Sequence, residues 1–230
     1  MSNPYRFPPV EAANEDGLLA IGGDLAPERV FAAHAHGIFP WYNPGEDILW
    51  WAPPLRAILP VADFHASRSL KKLARRENYR FSADAAFARV IRACRREDSW
   101  LDEHMIAAYS ALHAQGRAHS IEVWAGDALA GGVYGVALEH IFCAESMFSA
   151  RASASTLALA VLARHLQNLG ITLIDTQFLT EHLHRLGARN IPRPRYQQYL
   201  SNHPDRHRGT WYLAPEHAHS RALWAAQTTS

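Results

Sequence analysis

The feature that most restricts the fold is a change in the spacing of apolar residues in the middle of the chain. Over Glu103–Gln115 they recur at helical spacing, with Met105, Ile106, Tyr109 and Leu112 on one side, and Gly116 closes the segment. From His119 the period falls to two. His119–Trp124, Ala128–Leu138 and Ile141–Phe148 read as three strands joined by short turns at 125–127 and 139–140, a β-meander. An Ala/Leu-rich helix from Ser153 to Leu169 follows, ends at Gly170, and gives way to strand again at Ile171–Thr176. A strand reached through a helix can lie parallel to its neighbour. The expected class is therefore α+β.

The flanks are read more coarsely. Residues 1–60 are broken by proline and glycine, and one helix fits, Pro27–His36, with Asp24 as its cap and Gly37 past its end. The aromatic bursts IFPWY and ILWWAPP are too proline-rich for central strands, so a small irregular domain is expected over 1–58 and a second domain over 59–230. Further helices are expected from Ser67, over Ala83–Arg96 and over Glu181–Leu186, and a frayed His/Ala-rich tail after Pro215.

The formal net charge is only +1, but it is distributed in blocks: net −4 over 1–60, +7 over 61–96, −7 over 97–184 and +5 over 185–208. Two kinds of charged surface on one molecule are expected. In the first basic block Arg68, Lys71, Lys72, Arg75 and Arg76 share one helix face, away from Leu70 and Leu73. At 48% hydrophobic residues with no long apolar run, nothing spans a membrane. The first eleven residues lack a basic and an apolar region of the secretory type, and a cytoplasmic address is expected. Cys94 and Cys143 are the only cysteines and are expected to be reduced.

Several chemistries are excluded by pattern. The pairs His34/His36, His182/His184 and His217/His219 have a spacing that points two rings to different sides of a helix, and HExxH is absent, so solvated histidines and no metal are expected. Gly131, Gly132 and Gly135 lie inside a strand pattern without the lysine of a phosphate loop, and are read as a bulge or a close backbone approach. No nucleophile elbow exists. What remains is two carboxylates in apolar strands. Asp175 and Gln177 are two residues apart, on one face of their strand, and Glu145 sits between hydrophobic residues on another. A buried carboxylate is either satisfied by partners or functional. Converging carboxylates favour a cation, while Trp41, Trp50, Trp51 and Trp100 are core or a platform for a nucleobase.

Eight motifs in order along the chain carry a resemblance: GLLAIGGDL at 17–25, GIFPWY at 37–42, LWWAP at 49–53, HASRS at 65–69, AHSIEVW at 118–124, GGVYGV at 131–136, FCAESMFS at 142–149 and LIDTQ at 173–177. Together they resemble the bacterial leucyl/phenylalanyl-tRNA–protein transferases. The resemblance implies an enzyme that moves leucine or phenylalanine, with methionine a further candidate, from aminoacyl-tRNA to the α-amine of proteins beginning with Arg or Lys, tagging them for degradation. It implies a small N-terminal domain and an N-acetyltransferase-like (GNAT-like) α/β domain. No cofactor is expected, since an aminoacyl ester is already activated, and a monomer is expected.

By position, the resemblance places Asp175 and Gln177 at the reaction centre and Glu145 beside it. Trp41 and Trp100 would hold the 3′-terminal adenosine, and Val133, Phe142 and Leu162 would line the aminoacyl pocket. Arg68, Lys71, Lys72, Arg75 and Arg76 would contact the tRNA backbone. The sequence departs from the family at Thr156, often lysine, and at Val133 and Leu162, often Met and Phe. The alternative is an acetyl-CoA-type N-acyltransferase, which calls for a glycine-rich loop that 149–155 lacks; a non-catalytic RNA-binding module is a third reading.

Overall fold

A computed structural model describes residues 6–96, 100–201, 211, 213 and 219. In chain order the elements are β1 (Leu18–Ile21), α1 (Pro27–Ala35), β2 (Phe39–Pro40), β3 (Leu49–Trp51), β4 (Leu55–Pro60), α2 (Arg68–Glu77), β5 (Arg80–Ala83), α3 (Phe87–Cys94) and α4 (Glu103–Ala114). Then come β6 (Ala118–Ala125), β7 (Ala128–Ala137), β8 (Ile141–Ser149), α5 (Ala154–Leu169), β9 (Leu173–Gln177), α6 (Glu181–Arg185), β10 (Arg189–Pro192) and α7 (Arg193–Ser201). The class is α+β, as the change of period requires.

Seven strands form the large sheet in the order β10-β4-β9-β8-β7-β6-β5. Every neighbouring pair is antiparallel except β8 and β9, which are parallel because α5 carries the chain back to the starting end. The small sheet has the order β1-β3-β2. On one face of the large sheet α2 and α5 bury Leu70, Ala74, Leu157, Leu159 and Leu162 against Val133, Phe142 and Ile174. On the other face α3 and α4 share a continuous core with the N-terminal segment, joining Val30, Ile38 and Trp50 to Val90, Met105 and Tyr109.

Four expectations meet a different outcome. The aromatic bursts do form strands: β3 is the central strand of the small sheet, and its Trp50 is in the core. The stretch 55–60 is an interior strand, so the expected boundary at 58/59 falls inside β4; Pro54 precedes it and Pro60 ends it, which lets the ladder run between two prolines. The α1 cap is not Asp24, whose carboxylate instead accepts the Ala26 N–H and pairs with Arg29. The expected helix over Ala83–Arg96 starts later, because Arg80–Ala83 pairs with β6. β1, β10 and α7 are additional elements, and the tail after Pro215, His219 apart, lies outside the described residues.

Both readings of the glycines are realised. A Cβ on Gly131 would meet Ala154 at the start of α5. At Tyr134/Gly135 the β7–β8 register slips: Tyr134 faces Ser146 and Gly135 faces Ala144, which leaves Glu145 as the extra residue of a bulge. A Cβ on Gly135 would drive into the Cys143 carbonyl and the Phe142 ring. Gly135→Ala is therefore expected to cost about 2 kcal/mol or more, read as a lower urea midpoint at unchanged slope.

Candidate active site

The β8–β9 ladder lasts only three pairs, Ile141↔Leu173, Phe142↔Ile174 and Cys143↔Asp175. Beyond them the strands part, and a cavity of about 200 Å³ opens in the gap, its walls completed by α5 and α6. Val133, Ala144, Met147, Leu159 and Leu183 make it apolar, while Glu145, Ser146, Thr176, Gln177 and Arg96 supply the polar groups. An apolar cavity of ~150 Å³ already admits benzene, so this one has room for a leucine or phenylalanine side chain.

Glu145 is re-aimed by the bulge. Its Oε2 accepts the Tyr109 hydroxyl at 2.5 Å and its Oε1 accepts the Gln177 Nε2 at 3.2 Å. Burial pushes its carboxyl up to about 8, only partly countered by the Tyr109 hydrogen bond, and the negative charge of Asp175 adds to the rise. His34 lies 3.7 Å away but is held neutral, since burial and then Arg56 lower it to about 3. This histidine is wholly buried, against the expectation of a solvated one, because α1 packs it on α4 beside Tyr109.

Asp175 has the opposite environment. It is fully buried between Arg56 and Tyr196, with Arg56 Nη2 at 2.7 Å and the Tyr196 hydroxyl at 2.7 Å from Oδ2. Burial would raise its carboxyl, yet the Arg56 guanidinium overrides that and holds it below the usual carboxylate range. The two carboxylates therefore do not add up to a doubly anionic cleft: Asp175 is neutralised inside the protein, and Glu145 alone borders the cavity. Arg56, Tyr109 and Tyr196 were not marked by the sequence reading; an arginine in an otherwise apolar strand, Leu55–Pro60, was the available signal.

The other expected residues divide. Val133 lines the cavity, whereas Phe142 and Leu162 are fully buried in the cluster behind it. Trp41 is 45% exposed, with its ring 5.7 Å from Phe178, the residue after Gln177. Trp100 is half-buried against the core of the N-terminal side. On α2, Arg68, Lys72, Arg75 and Arg76 are exposed and Lys71 is half-buried, with Leu70 and Ala74 turned to the core. Between α2 and α6 runs a groove of about 570 Å³ edged by Lys72, Arg76, His182 and Arg185, with Thr156 in its wall. It lies across α6 from the cavity, since Leu183 lines one and Arg185 the other. Asp84, His113 and His119 also gather, but His113 Nδ1 and His119 Nε2 meet backbone carbonyls and His119 Nδ1 meets Asp84.

The profile described as leucyl/phenylalanyl-tRNA protein transferase matches residues 58–201, and that of its N-terminal domain matches 23–54. The chain belongs to this family. A protein named leucyl/phenylalanyl-tRNA–protein transferase from Nitrosomonas europaea is 50% identical over 202 residues, covering 85% of this chain and 86% of the relative. One of the same name from Pseudomonas syringae is 47% identical over 210 residues, 88% and 92% of the two chains. Another from Pseudomonas fluorescens is 44% identical over 231 residues, 97% of each. Among solved structures, L-PGS from Bacillus licheniformis aligns with a TM-score of 0.39 at 14% identity, over 64% of this chain and 50% of that one. The chain is accordingly an aminoacyltransferase, which decides between the two acyltransferase readings. No helix among the described residues is long and apolar enough to cross a membrane.

Because the folded state holds the Glu145 proton more tightly than an unfolded chain does, stability gained below about pH 4.5 is lost as pH rises towards about 8. Glu145→Gln cannot ionise; its carbonyl oxygen still accepts the Gln177 Nε2, while its NH2 can only donate to the Tyr109 oxygen. It is expected to flatten that part of the stability–pH curve, measured by denaturant unfolding from pH 4.5 to 8.5.

Proposed function

We propose that the chain transfers leucine or phenylalanine from aminoacyl-tRNA to the N-terminal α-amine of proteins that begin with Arg or Lys, tagging them for degradation, and that it works as a cytoplasmic monomer. The observation that carries the chemistry is the place of Glu145: a carboxyl that burial pushes up to about 8, at the edge of an apolar cavity sized for these side chains. A general base works best when its pKa lies near the working pH. The α-amine of a peptide has a pKa of about 8 and arrives largely protonated.

The donor's side chain enters the cavity past Val133, backed by Phe142 and Leu162, and its ester faces Gln177. An α-ammonium beside Glu145 gives up a proton to the carboxylate, and the neutral amine attacks the ester carbon. The N–C bond forms, the C–O bond to the terminal ribose breaks, and the proton released from nitrogen reaches the departing ribose oxygen. The Gln177 carboxamide keeps a second N–H and a carbonyl to align amine and ester. Asp175 belongs to the reaction centre without exchanging that proton, since its oxygens are already taken by Arg56, Tyr196 and Gln177. Trp41, with Phe178 at its edge, and Trp100 are the aromatic surfaces for the terminal adenosine. Arg68, Lys71, Lys72, Arg75 and Arg76 hold the RNA phosphates, along the α2–α6 groove that Lys72 and Arg76 edge.

Purified protein is expected to transfer leucine and phenylalanine from charged tRNA to an Arg-initiated peptide at low salt; absence of transfer by folded protein rejects the reading. Glu145→Gln should slow single-turnover transfer by roughly 100-fold or more while tRNA affinity stays unchanged. Replacing Lys72, Arg75 and Arg76 by Glu should sharply weaken tRNA binding in filter assays with little change in melting temperature, because these three side chains are exposed.

A further inference from the structure

Arg56 is 2% exposed, and its guanidinium lies between the Phe39 and Tyr196 rings, with Cζ 4.5 and 4.9 Å from their centroids. A buried guanidinium is costly unless its hydrogen bonds are satisfied. Here Nε lies 2.9 Å from Asp175 Oδ1, Nη2 lies 2.7 Å from Oδ2, and Nη1 reaches the Gly37 carbonyl. Tyr196 of α7 holds the same carboxylate from the other side. Asp175 in turn accepts the backbone N–H of Gln177 at 2.9 Å.

That last bond lands on a strained residue. Gln177 is one of four described non-glycine residues with positive φ, at 54°, and the Phe178 N–H closes back on the Thr176 carbonyl at 2.6 Å. This is a γ-turn in its rare form, which persists only where its surroundings impose it. The turn sends the Gln177 carboxamide to Glu145 and the Phe178 ring to Phe39 and Trp41. The Arg56 side chain thus touches neither cavity nor groove, yet it holds the carboxylate on which the turn hangs.

We infer that Arg56 is a positioning residue for the transfer step: with Tyr196 it fixes the Asp175 carboxylate, which keeps residue 177 in the turn that aims its carboxamide at Glu145. The inference deepens the proposed function and rests on it. It makes Asp175 an anchor for the backbone and locates the reach of the Arg56 charge at one side chain, Gln177.

Arg56→Lys keeps the charge and loses the two-pronged fit; Tyr196→Phe removes one hydrogen bond and is the milder change should the lysine variant fold poorly. Each is assayed for aminoacyl-tRNA affinity, peptide KM and kcat, alone and with Gln177→Ala. The expectation is a kcat roughly tenfold lower for Arg56→Lys at unchanged affinity and KM, and no further loss when Gln177 is already Ala, because residues acting through one another are non-additive. Amide hydrogen exchange at Gln177 and Phe178 should speed up about tenfold in both variants, with α4 and α5 unaffected. Equal kcat losses with and without Gln177, or exchange that rises throughout the molecule, would overturn the inference. If the parent chain shows no transfer, the function falls, and the exchange data decide the anchoring by themselves.

Discussion

Two parallel strands that separate after three residue pairs create the space in which everything else is arranged. As long as β8 and β9 stay paired, their side chains fill the two cores above and below the sheet. Past Cys143 and Asp175 the backbones diverge, and groups that would have packed against each other border a hollow instead. Gly135 and the bulge bring Glu145 into that hollow, and the turn at Gln177 brings a carboxamide from the opposite strand.

The two carboxylates flanking the divergence have been pushed in opposite directions by their surroundings. Asp175 meets a guanidinium and a phenol and stays ionised; Glu145 meets a phenol, an amide and apolar walls and holds its proton to higher pH. Pairs of titratable groups driven apart in this way separate a structural charge from one that exchanges protons. The interior thus holds a fixed charge and the cavity edge a carboxyl that can change its protonation state.

The meander, the crossover helix and the parallel return were legible because apolar periodicity reports them directly, and α2 was legible because its charges share one face. The strand at 55–60 was hidden. Five residues between prolines, with an arginine inside, give no alternation to read, and its pairing with β9 and β10 depends on residues more than a hundred positions away. For the same reason Asp175 and Gln177 were recognisable as unusual while their partners were not: Arg56 is 119 residues from Asp175 in sequence, and Tyr109 is 36 from Glu145. Local pattern located the two unusual carboxylates; only the fold distinguished the one anchored by Arg56 from the one that borders the cavity.

The wide sequence separation of the parts around β4 bears on how the enzyme is born. β4 leaves the ribosome early, but its neighbours β9 and β10 and the Tyr196 phenol come from the last quarter of the described chain. Contacts of such long range form slowly. A nascent chain can complete the meander and α5 while its centre is still unassembled, so catalytic competence arrives only once nearly the whole polypeptide has been made.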